Sequence, residues 1–275
     1  MQFYDVPSHS PSLLPDGKFS LVWADEFDGT ELDRSKWDYR LNMMGKRHRT
    51  WVDDGVTLDG KSNAVFRIYE KDGEVCSSQL ETGHNFMDAP VEKTEDCWGG
   101  GLIWPIGNFR EQKLLHRYGY YECRCRLQKM EGWWSAFWVQ SPTIGCDPDP
   151  SFAGIENDIM ESFHPGKIIC HSNHFSGYGD DHVCDFVGDG MELDPDEYHY
   201  FGMLWDEKGY TFYVDGKEDG HIDAHVSHRP EFILISTEVN GYRSKTHAPT
   251  EEAFAAARAG DAFLVDHVRV FDRVE

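Results

Sequence analysis

Apolar and polar residues alternate over many short stretches of this 275-residue chain, and a period of two predicts β-strands. Turn-forming pairs separate the stretches, namely Asp59-Gly60, Asp72-Gly73, Asp215-Gly216 and Asp219-Gly220. The predicted strands span residues 19–23, 56–58, 64–70, 74–81, 118–127, 134–140, 155–163, 168–174, 198–205, 209–214, 231–239 and 262–272. Many short strands at such spacing are typical of an all-β antiparallel sandwich.

One stretch, residues 250–259, carries the signals of a helix. Thr250 suits the N-cap, the acidic Glu251 and Glu252 suit the first turn, and Gly260 suits the end of the helix. We therefore expect a sandwich with one helix beside its strands.

The chain shows no internal repeat and no linker after its first residues. Residues 1–17 contain several Pro and Ser, which predicts an arm laid on the surface. Residues 18–275 then predict a single β-sandwich domain, because an all-β sandwich of this length is commonly one unit.

Acidic residues outnumber basic ones, and the formal net charge is −23. Such a field repels nucleic acid and anionic membrane surfaces, so neither is expected as a partner. No stretch approaches the ~18–20 apolar residues that a membrane helix needs. Residues 1–20 lack the basic start and apolar run of a signal peptide, so we expect an intracellular protein or one whose signal has been removed. We expect a monomer.

Seven cysteines, at positions 76, 97, 123, 125, 146, 170 and 184, form no pair of CxxC units. Cys123 and Cys125 lie two apart in one predicted strand, a poor geometry for bridging each other. An odd number without a framework spacing favours reduced, mostly buried thiols, with one or two disulfides as the alternative.

Three carboxylates lie close together in the segment Gly-Ile-Glu-Asn-Asp-Ile-Met-Glu-Ser. In an extended strand Glu156 and Asp158 share one face, whereas Glu161, an odd step from Glu156, faces the other way. A β-bulge at Ile159-Met160 would absorb one residue and return Glu161 to the first face. We therefore predict a bulged strand with three acids in one strip. Their mutual repulsion suggests that the strip serves chemistry.

Two carboxyl groups that converge to roughly 5–5.5 Å suit a retaining glycosidase, one as nucleophile and the other as acid/base. Asp158, between the two glutamates, would hydrogen-bond the nucleophile. Its like charge would raise the pKa of Glu161, which could then protonate a leaving oxygen. A solvated strand face and a metal site are the alternative interpretations.

Aromatic residues make up 14% of the chain, and several precede the acidic segment. Trp134 and Trp138 share one face of a predicted strand, and Trp133 and Phe137 share the other. One set can therefore fill the core while the other floors a cleft. After the acidic segment, His171 and His174 alternate onto opposite faces, so that one of them could reach the same cleft while the other packs or faces solvent.

Two further groups carry polar chemistry. The basic run Lys46-Arg-His-Arg49 stands next to Trp51, and Arg49 and Trp51 would either border the cleft or form part of a solvated loop. His174, Asp180 and His182 match no known spacing of metal ligands.

The acidic segment resembles the Glu-x-Asp-x-x-Glu signature of glycoside hydrolase family 16 in its bulged form. The similarity extends across nearly the whole chain, and the similar segments follow one another in the family's order. These segments are Asp25-Glu-Phe-Asp-Gly29 with Trp37, Tyr118-Gly-Tyr-Tyr-Glu-Cys-Arg124, Gly132-Trp-Trp-Ser-Ala-Phe-Trp138, residues 198–205 with 210–216, and Val265-Asp-His-Val-Arg-Val-Phe271. The main departure is Asn157, where members usually carry an apolar residue. On a bulged strand its side chain would point into the sandwich and need hydrogen-bond partners.

The resemblance implies a two-sheet jelly roll, the concanavalin A-like lectin/glucanase fold, with an open cleft on its concave face. It also implies endo-acting, retaining hydrolysis of a β-linked polysaccharide without a catalytic cofactor. The implied roles are nucleophile for Glu156, assisting carboxylate for Asp158, acid/base for Glu161, cleft tryptophans on the nonreducing side for Trp134 and Trp138, and a place near the leaving group for His174.

Members of the family often hold a structural calcium on the convex face. Glu26, Gly60 and Asp266 occupy the corresponding positions in this sequence. The resemblance therefore implies a possible calcium site there, built partly from backbone carbonyls.

The substrate class stays open between β-1,3- or mixed-linkage glucans and galactans such as agarose, porphyran and carrageenan. The net charge disfavours a sulfated chain unless Lys46, Arg47 and Arg49 neutralise it locally, so we favour β-glucan. Glu238 lies in a stretch that departs from the Asn-rich form expected of β-1,3-glucanases and is a candidate specificity residue. Loops 82–98 and 144–153 could close the ends of the cleft, so cleavage from a chain end (exo attack) stays an alternative to cleavage within the chain.

Two other classes of function remain as hypotheses. One is a non-catalytic, lectin-like carbohydrate-binding protein, although such relatives typically lose one of the carboxylates. The other is a metal-dependent protein that uses the acidic triplet.

Overall fold

The computed structural model describes residues 1–89 and 110–274, and labels below number its strands and helices in chain order. Cys97 and the part of the 82–98 loop after residue 89 lie outside the described residues. The predicted all-β architecture is confirmed, because two large antiparallel sheets make up most of the structure.

The first large sheet has seven strands and carries the acidic segment on an inner strand, next to its central one. In spatial order these are β17 (Val183–Val187), β16 (His171–Phe175), β14 (Glu156–Ser162), β13 (Trp133–Gln140), β22 (Phe232–Val239), β11 (Gln79–Glu81) and β4 (Asp38–Tyr39).

The second large sheet has eight strands, seven in its main path and one that pairs beside that path. In spatial order they are β21 (Lys217–Ile222), β20 (Gly209–Val214), β19 (His199–Asp206), β12 (Gly119–Arg126), β23 (Ala262–Val274), β8 (Ala64–Arg67) and β7 (Val56–Leu58), with β3 (Lys18–Asp25) beside them.

Four two-stranded ladders and two helices complete the described structure. The ladders pair β1 (Gln2–Tyr4) with β2 (Ser12–Leu14), β5 (Asn42–Met43) with β6 (Lys46–Arg47), β9 (Tyr69–Lys71) with β10 (Glu74–Cys76), and β15 (Lys167–Ile168) with β18 (Met191–Glu192). The helices are α1 (Pro150–Ala153) and α2 (Glu251–Ala259).

The main core lies between the two large sheets. Phe137 and Ile235 of the seven-stranded sheet belong to the same buried cluster as Phe201, Trp205 and Val268 of the eight-stranded sheet. Each fully buried large apolar side chain contributes roughly 1.5–3 kcal/mol. The alternation predicted for β13 is confirmed, because its odd-numbered residues enter this core and its even-numbered residues face the other way.

The predicted helix is confirmed as α2, and its ends carry the predicted caps. The Thr250 side chain accepts a hydrogen bond from the Ala253 backbone N–H at 3.3 Å, and Gly260 ends the helix with a left-handed φ of 72°. The short helix α1 was not predicted. It follows an Asp149 cap with Pro150 at its start, and it is too short to show a helical hydrophobic period.

Two Asp-Gly pairs near residue 217 behave differently. Asp215 and Gly216, with φ of 48° and 76°, form the predicted tight turn between β20 and β21. Asp219-Gly220 does not form a turn, and that prediction is wrong. These two residues lie inside β21, where the register shifts by one residue, so the pair marks a bulge instead.

The N-terminal arm is tied to the eight-stranded sheet through polar side chains. The buried Glu122 carboxylate accepts a hydrogen bond from the Leu13 backbone N–H at 2.8 Å. Tyr120 donates its hydroxyl to the Leu13 carbonyl at 3.0 Å, and the buried Arg269 donates to the Ser12 hydroxyl at 2.8 Å. The β1–β2 ladder is thereby held against the sheet.

The six cysteines in the described residues are free thiols. Cys76, Cys123 and Cys125 are buried, Cys170 and Cys184 are half-buried, and Cys146 is exposed. Neither described helix combines the length and the apolar character that crossing a bilayer requires.

Candidate active site

The strand pairing around the acidic segment contains the bulge that the sequence predicts. The register between β13 and β14 shifts so that Ile159 has no partner, and Glu161 returns to the face of Glu156 and Asp158. The pairs are Gln140 with Glu156, Trp138 with Asp158, Phe137 with Met160, and Ala136 with Glu161.

Asn157 points the other way, as expected. It is fully buried, and its Nδ2 donates a hydrogen bond to Asn173 Oδ1 on the neighbouring strand at 2.7 Å. A second buried asparagine opposite it thus satisfies Asn157 Nδ2, whereas Asn157 Oδ1 and Asn173 Nδ2 are buried without a hydrogen-bond partner among the described residues.

The acids lie in a cleft on the face of the seven-stranded sheet that points away from the main core. Its volume is about 510 Å³. The lining residues are Arg40, Met43, Met44, Asp88, Trp134, Ala136, Trp138, Glu156, Asp158, Glu161, Phe163, His174, Tyr178, His182, Ser236, Glu238 and Arg243. All three acids and the predicted Trp134, Trp138, His174 and Glu238 are among them.

Glu156 is held by two hydrogen-bond donors on one carboxylate oxygen. Gln140 donates its Nε2–H to Glu156 Oε2 at 2.7 Å, and the Tyr178 hydroxyl donates to the same oxygen. Burial and the charge of Asp158 raise the pKa of Glu156 to about 7, against the opposing effects of His174 and the Tyr178 hydrogen bond. The donors fix the carboxylate while leaving its second oxygen free of these two contacts.

Asp158 is nearly fully buried, and it contacts two groups on β16. Ser172 donates its hydroxyl to Asp158 Oδ2 at 2.8 Å, and His174 Nε2 lies 3.1 Å from the same oxygen. Burial lowers the pKa of His174, but the hydrogen bond and charge of Asp158 outweigh it, and the net result is a raised pKa. The protonated imidazole then partly neutralises the acidic strip.

Glu161 is half-buried and differs electrostatically from Glu156. Burial, followed by the charges of Asp158 and Glu156, raises the pKa of Glu161 well above its ordinary value. Arg243 opposes this rise. Glu161 therefore keeps its proton to a higher pH than an ordinary glutamate does.

A chain of hydrogen bonds supports Gln140 from behind. Asn85 donates its Nδ2–H to Gln140 Oε1 at 2.7 Å, which orients the Gln140 amide so that its NH₂ group faces Glu156. Asn85 is fixed in turn by Asp88, whose backbone N–H donates to Asn85 Oδ1 at 2.9 Å. Asp88 Oδ2 accepts from Arg40 Nε at 2.7 Å.

The same chain continues toward the other end of the cleft. Arg40 Nη1 donates to Gln79 Oε1 at 3.2 Å, and Gln79 Nε2 donates to Glu238 Oε1 at 3.3 Å. Arg243 Nε donates to Glu238 Oε2 at 2.9 Å. We call the residues of this chain the floor network: Gln140, Asn85, Asp88, Arg40, Gln79, Glu238 and Arg243.

The two predicted tryptophans are placed differently within the cleft. Trp134 is half-buried, with the Phe163 ring 4.9 Å from its own and the Arg243 guanidinium 5.4 Å from its ring centre. Trp138 is only 7% exposed, and its Nε1–H donates to Ser236 Oγ at 2.9 Å. Trp134 thus offers more ring surface to a ligand than Trp138 does.

Arg49 and Trp51 do not line the cleft, which corrects the placement predicted for them. Arg49 is exposed and forms an ion pair with Glu74 at 2.7 Å. Trp51 is 1% exposed and stacks on His48 with ring centres 4.3 Å apart. The aromatic side chain beside the basic run is buried for packing and presents no surface to a substrate.

The residues that sequence reasoning missed come from distant parts of the chain. Tyr178 and Gln140 contact Glu156, and Arg40, Asn85 and Asp88 stand behind them. None belongs to a recognisable motif. Gln140 alone carried a signal, because it ends the predicted tryptophan strand on the face that carries Trp134 and Trp138.

One set of side chains in the described residues has the geometry to hold a metal ion. Single ligand atoms of Glu156, Asp158 and His174 all lie within 4.8 Å of one another. The same atoms also suit a hydrogen-bonded acid–imidazole group, because His174 Nε2 already contacts Asp158 Oδ2.

The residues implied for a structural calcium do not fit that ion. Both carboxylate oxygens of Glu26 accept hydrogen bonds from the buried Arg269 guanidinium, at 2.8 and 2.7 Å. Asp266 Oδ2 accepts from Arg124 Nη1 at 2.9 Å. Calcium needs six to eight oxygen ligands, whereas each of these carboxylates is already neutralised by a cation. Gly60 lies in a turn after β7.

We therefore expect a calcium chelator to leave the melting temperature unchanged. A calcium site saturated a hundredfold above its dissociation constant would instead raise it by roughly 5–10 °C in a protein of this size. The measurement is thermal unfolding in EDTA and again after calcium is restored. A reversible fall of several degrees in EDTA would contradict the assignment of Arg269 and Arg124 as the partners.

Comparison with known proteins finds both sequence relatives and solved structures that are similar to this chain. The chain is 28% identical over 229 residues to Glucan endo-1,3-beta-glucosidase A1 of Niallia circulans, covering 78% of this chain and 31% of that protein. It is 27% identical over 206 residues to Beta-porphyranase D of Zobellia galactanivorans, covering 66% of this chain and 42% of that protein. The laminarinase structure from Rhodothermus marinus superposes with a TM-score of 0.63 at 21% identity, covering 95% of this chain and all of that one.

The described structure shares the all-β jelly-roll fold of that laminarinase structure, and its acidic strip lies on the sheet that forms the cleft. Residues 107–232 match the model of Glycosyl hydrolases family 16. This match agrees with the resemblance to glycoside hydrolase family 16 that the sequence motifs indicate. The chain spans less than half the length of the two curated relatives described above.

Proposed function

We propose that this protein is an endo-acting, retaining β-glycanase that cleaves a neutral β-1,3- or mixed-linkage glucan. The observation that carries the proposal is the bulge in β14, which puts Glu156, Asp158 and Glu161 on one face in one cleft. The names of the curated relatives, among them a glucan endo-1,3-beta-glucosidase, support the endo mode of attack.

In the first step Glu156 attacks the anomeric carbon, and the glycosidic oxygen leaves with the proton of Glu161. A glycosyl-enzyme ester results. In the second step Glu161 takes a proton from water, whose oxygen attacks the same carbon and releases Glu156. Two displacements at one carbon retain its configuration.

The surroundings of the two glutamates support this division of roles. Glu156 accepts two hydrogen bonds, which stabilise its anionic, nucleophilic form. The pKa of Glu161 is raised well above its ordinary value, which suits a group that starts the cycle protonated. Asp158 lies between the two glutamates along β14 and raises the pKa of both, and His174 opposes that rise at Glu156.

The charges of the cleft support a neutral substrate. Arg40 and Arg243 are both engaged by carboxylates, of Asp88 and Glu238 respectively. The positive charge of each guanidinium is thus already balanced by a carboxylate, and Lys46, Arg47 and Arg49 do not line the cleft. A heavily sulfated chain would therefore meet uncompensated carboxylates.

A galactan is the second candidate substrate. The similarity to Beta-porphyranase D favours it, as does the ion pair between Glu238 and Arg243 beside Trp134. The two candidates share the same catalytic proposal and differ only in the sugar that the Trp134 end of the cleft accepts.

The test is reducing-sugar release from laminarin, lichenan, agarose, porphyran and carrageenan, with and without EDTA. We expect release from laminarin or lichenan that EDTA leaves intact. Binding of a glycan without any release would favour the lectin-like alternative, and loss of activity in EDTA would favour a metal-dependent protein.

Proton NMR of the first products tests the double displacement. The β-anomer should appear first and then equilibrate with the α-anomer. Initial formation of the α-anomer would contradict a glycosyl-enzyme intermediate, whichever glycan is cleaved.

A further inference from the structure

One large aromatic side chain on the cleft side of the molecule has no role in the site described so far. Phe186 is 64% exposed and lies on β17, the edge strand of the seven-stranded sheet. A phenyl ring in water loses the stabilisation that burial would give it. Single exposed aromatics are common on protein surfaces, so the position of Phe186 decides its meaning.

Phe186 stands in the same cross-strand row as the catalytic strip. Directly opposed residues of antiparallel strands share a face of the sheet. The row runs from Trp138 to Asp158, from Asp158 to Ser172, and from Ser172 to Phe186. The Phe186 ring therefore belongs to the cleft face, two strands beyond Asp158, or roughly 10 Å away.

A series of rings connects Phe186 with the acids. The His174 imidazole lies 6.4 Å from the Phe186 ring in an edge-to-face arrangement, and it stacks on His182 at 5.0 Å. The Tyr178 ring, whose hydroxyl contacts Glu156, lies 6.1 Å from His182. The exposed phenyl ring thus continues a wall of rings that begins at the nucleophile.

The direction along this row fixes which part of a substrate Phe186 would meet. Trp134 and Trp138 lie on β13, on one side of the acids, which is the side that the family resemblance implies for the nonreducing part of the glycan. His174 lies on the other side, and Phe186 lies one strand beyond it. A glycan that crosses the strands in this direction along the Asp158 row passes Phe186 after the bond to be cleaved.

We propose that Phe186 is the stacking platform for a sugar ring on the leaving-group side of the cleft. This inference rests on the proposed hydrolysis of a polysaccharide. The ligand is the apolar face of a pyranose ring, whose C–H groups pack on the exposed phenyl ring. The contact adds binding energy for the departing part of the chain and none for the part that forms the glycosyl-enzyme.

The test compares two substrates that differ only on the leaving-group side. One is an oligosaccharide of the glycan that the wild type cleaves, and the other is its β-glycosyl fluoride, which leaves that side empty. Phe186→Ala should lower kcat/KM for the oligosaccharide about tenfold, the effect of one lost aromatic contact. It should leave kcat/KM for the fluoride within about twofold, because the nonreducing side is untouched.

Two further variants separate stacking from damage to the fold. Phe186→Trp should restore the oligosaccharide rate. Phe3→Ala removes an equally exposed phenylalanine, 74% exposed, from the N-terminal ladder and should leave both rates unchanged. Unchanged oligosaccharide hydrolysis by Phe186→Ala, or an equal loss on both substrates, would overturn the inference while leaving the hydrolase assignment standing. A wild type that releases no fluoride and no sugar would overturn both.

Discussion

Replacing Glu156 with glutamine should lower kcat on the preferred glycan by on the order of 10⁴- to 10⁶-fold, the range seen when the nucleophile of a covalent mechanism or its close partner is removed. The amide keeps the size of the side chain and one acceptor oxygen for Tyr178 and Gln140. It cannot form the glycosyl ester. Initial rates of reducing-sugar release measure the effect, and an unchanged melting temperature shows that the fold is intact.

Azide provides the control that distinguishes a lost nucleophile from a distorted site. In Glu156→Ala the vacated space admits azide, which attacks a β-glycosyl fluoride directly, expels fluoride and gives an α-glycosyl azide. Rescue with the β-configuration would show that another side chain forms the covalent bond, and the assignment of Glu156 would then be wrong.

The second large effect concerns the leaving group. Glu161→Gln should lower kcat/KM on the natural glycan by about 10²- to 10⁴-fold, the usual contribution of a general acid. It should leave kcat/KM for the β-glycosyl fluoride nearly unchanged, because fluoride departs without a proton. The measurement is the ratio of the loss in kcat/KM on the glycan to the loss in kcat/KM on the fluoride, since a merely structural defect would reduce both values.

The pH profile of the same pair follows from the directions of the two pKa values. Glu156 must be ionised to attack, and its pKa is raised to about 7, so wild-type kcat/KM should fall as the pH drops below about 7. Glu161 must be protonated, and its pKa is raised well above its ordinary value, so activity should fall again on the alkaline side of the optimum, where Glu161 loses its proton. In Glu161→Gln the alkaline limb should disappear and the acidic limb should stay. Persistence of the alkaline limb would assign it to another group.

The part of the site that could be predicted from sequence is the part set by local geometry. The odd step from Glu156 to Glu161 permits a common face only with an inserted residue, and the register shift at Ile159 supplies it. The same local rules located α2 through its caps and placed Trp134 and Trp138 on the cleft face. These features depend on neighbours within a few residues, which a single sequence displays.

The features that could not be predicted depend on contacts between distant segments. Tyr178 and Asn85 reach Glu156 and Gln140 from loops, and no periodicity marks them. Trp51 resembled a ligand platform because it follows a basic run, yet stacking on His48 and near-complete burial give it a packing role. Whether such a side chain is buried or faces the cleft depends on how distant segments pack in the folded protein.

The calcium implied by the family's pattern illustrates the same limit. Glu26 and Asp266 keep the expected positions, but Arg269 and Arg124 supply the positive charge there. The sequence shows the carboxylates and the arginines far apart along the chain. Only the pairing of β23 with β12 and β3 shows that they meet.

The floor network also bears on how glycan preference in this protein can change. Arg243 and Glu238, which flank Trp134, share an unbroken line of donors and acceptors with the amide that orients Glu156. An exchange at position 238 or 243 that admits a new sugar would also disturb the reacting carboxylate. A variant designed to have the sugar preference of a relative would therefore need matching residues at positions 79, 40, 88 and 85 as well, changed together with positions 238 and 243.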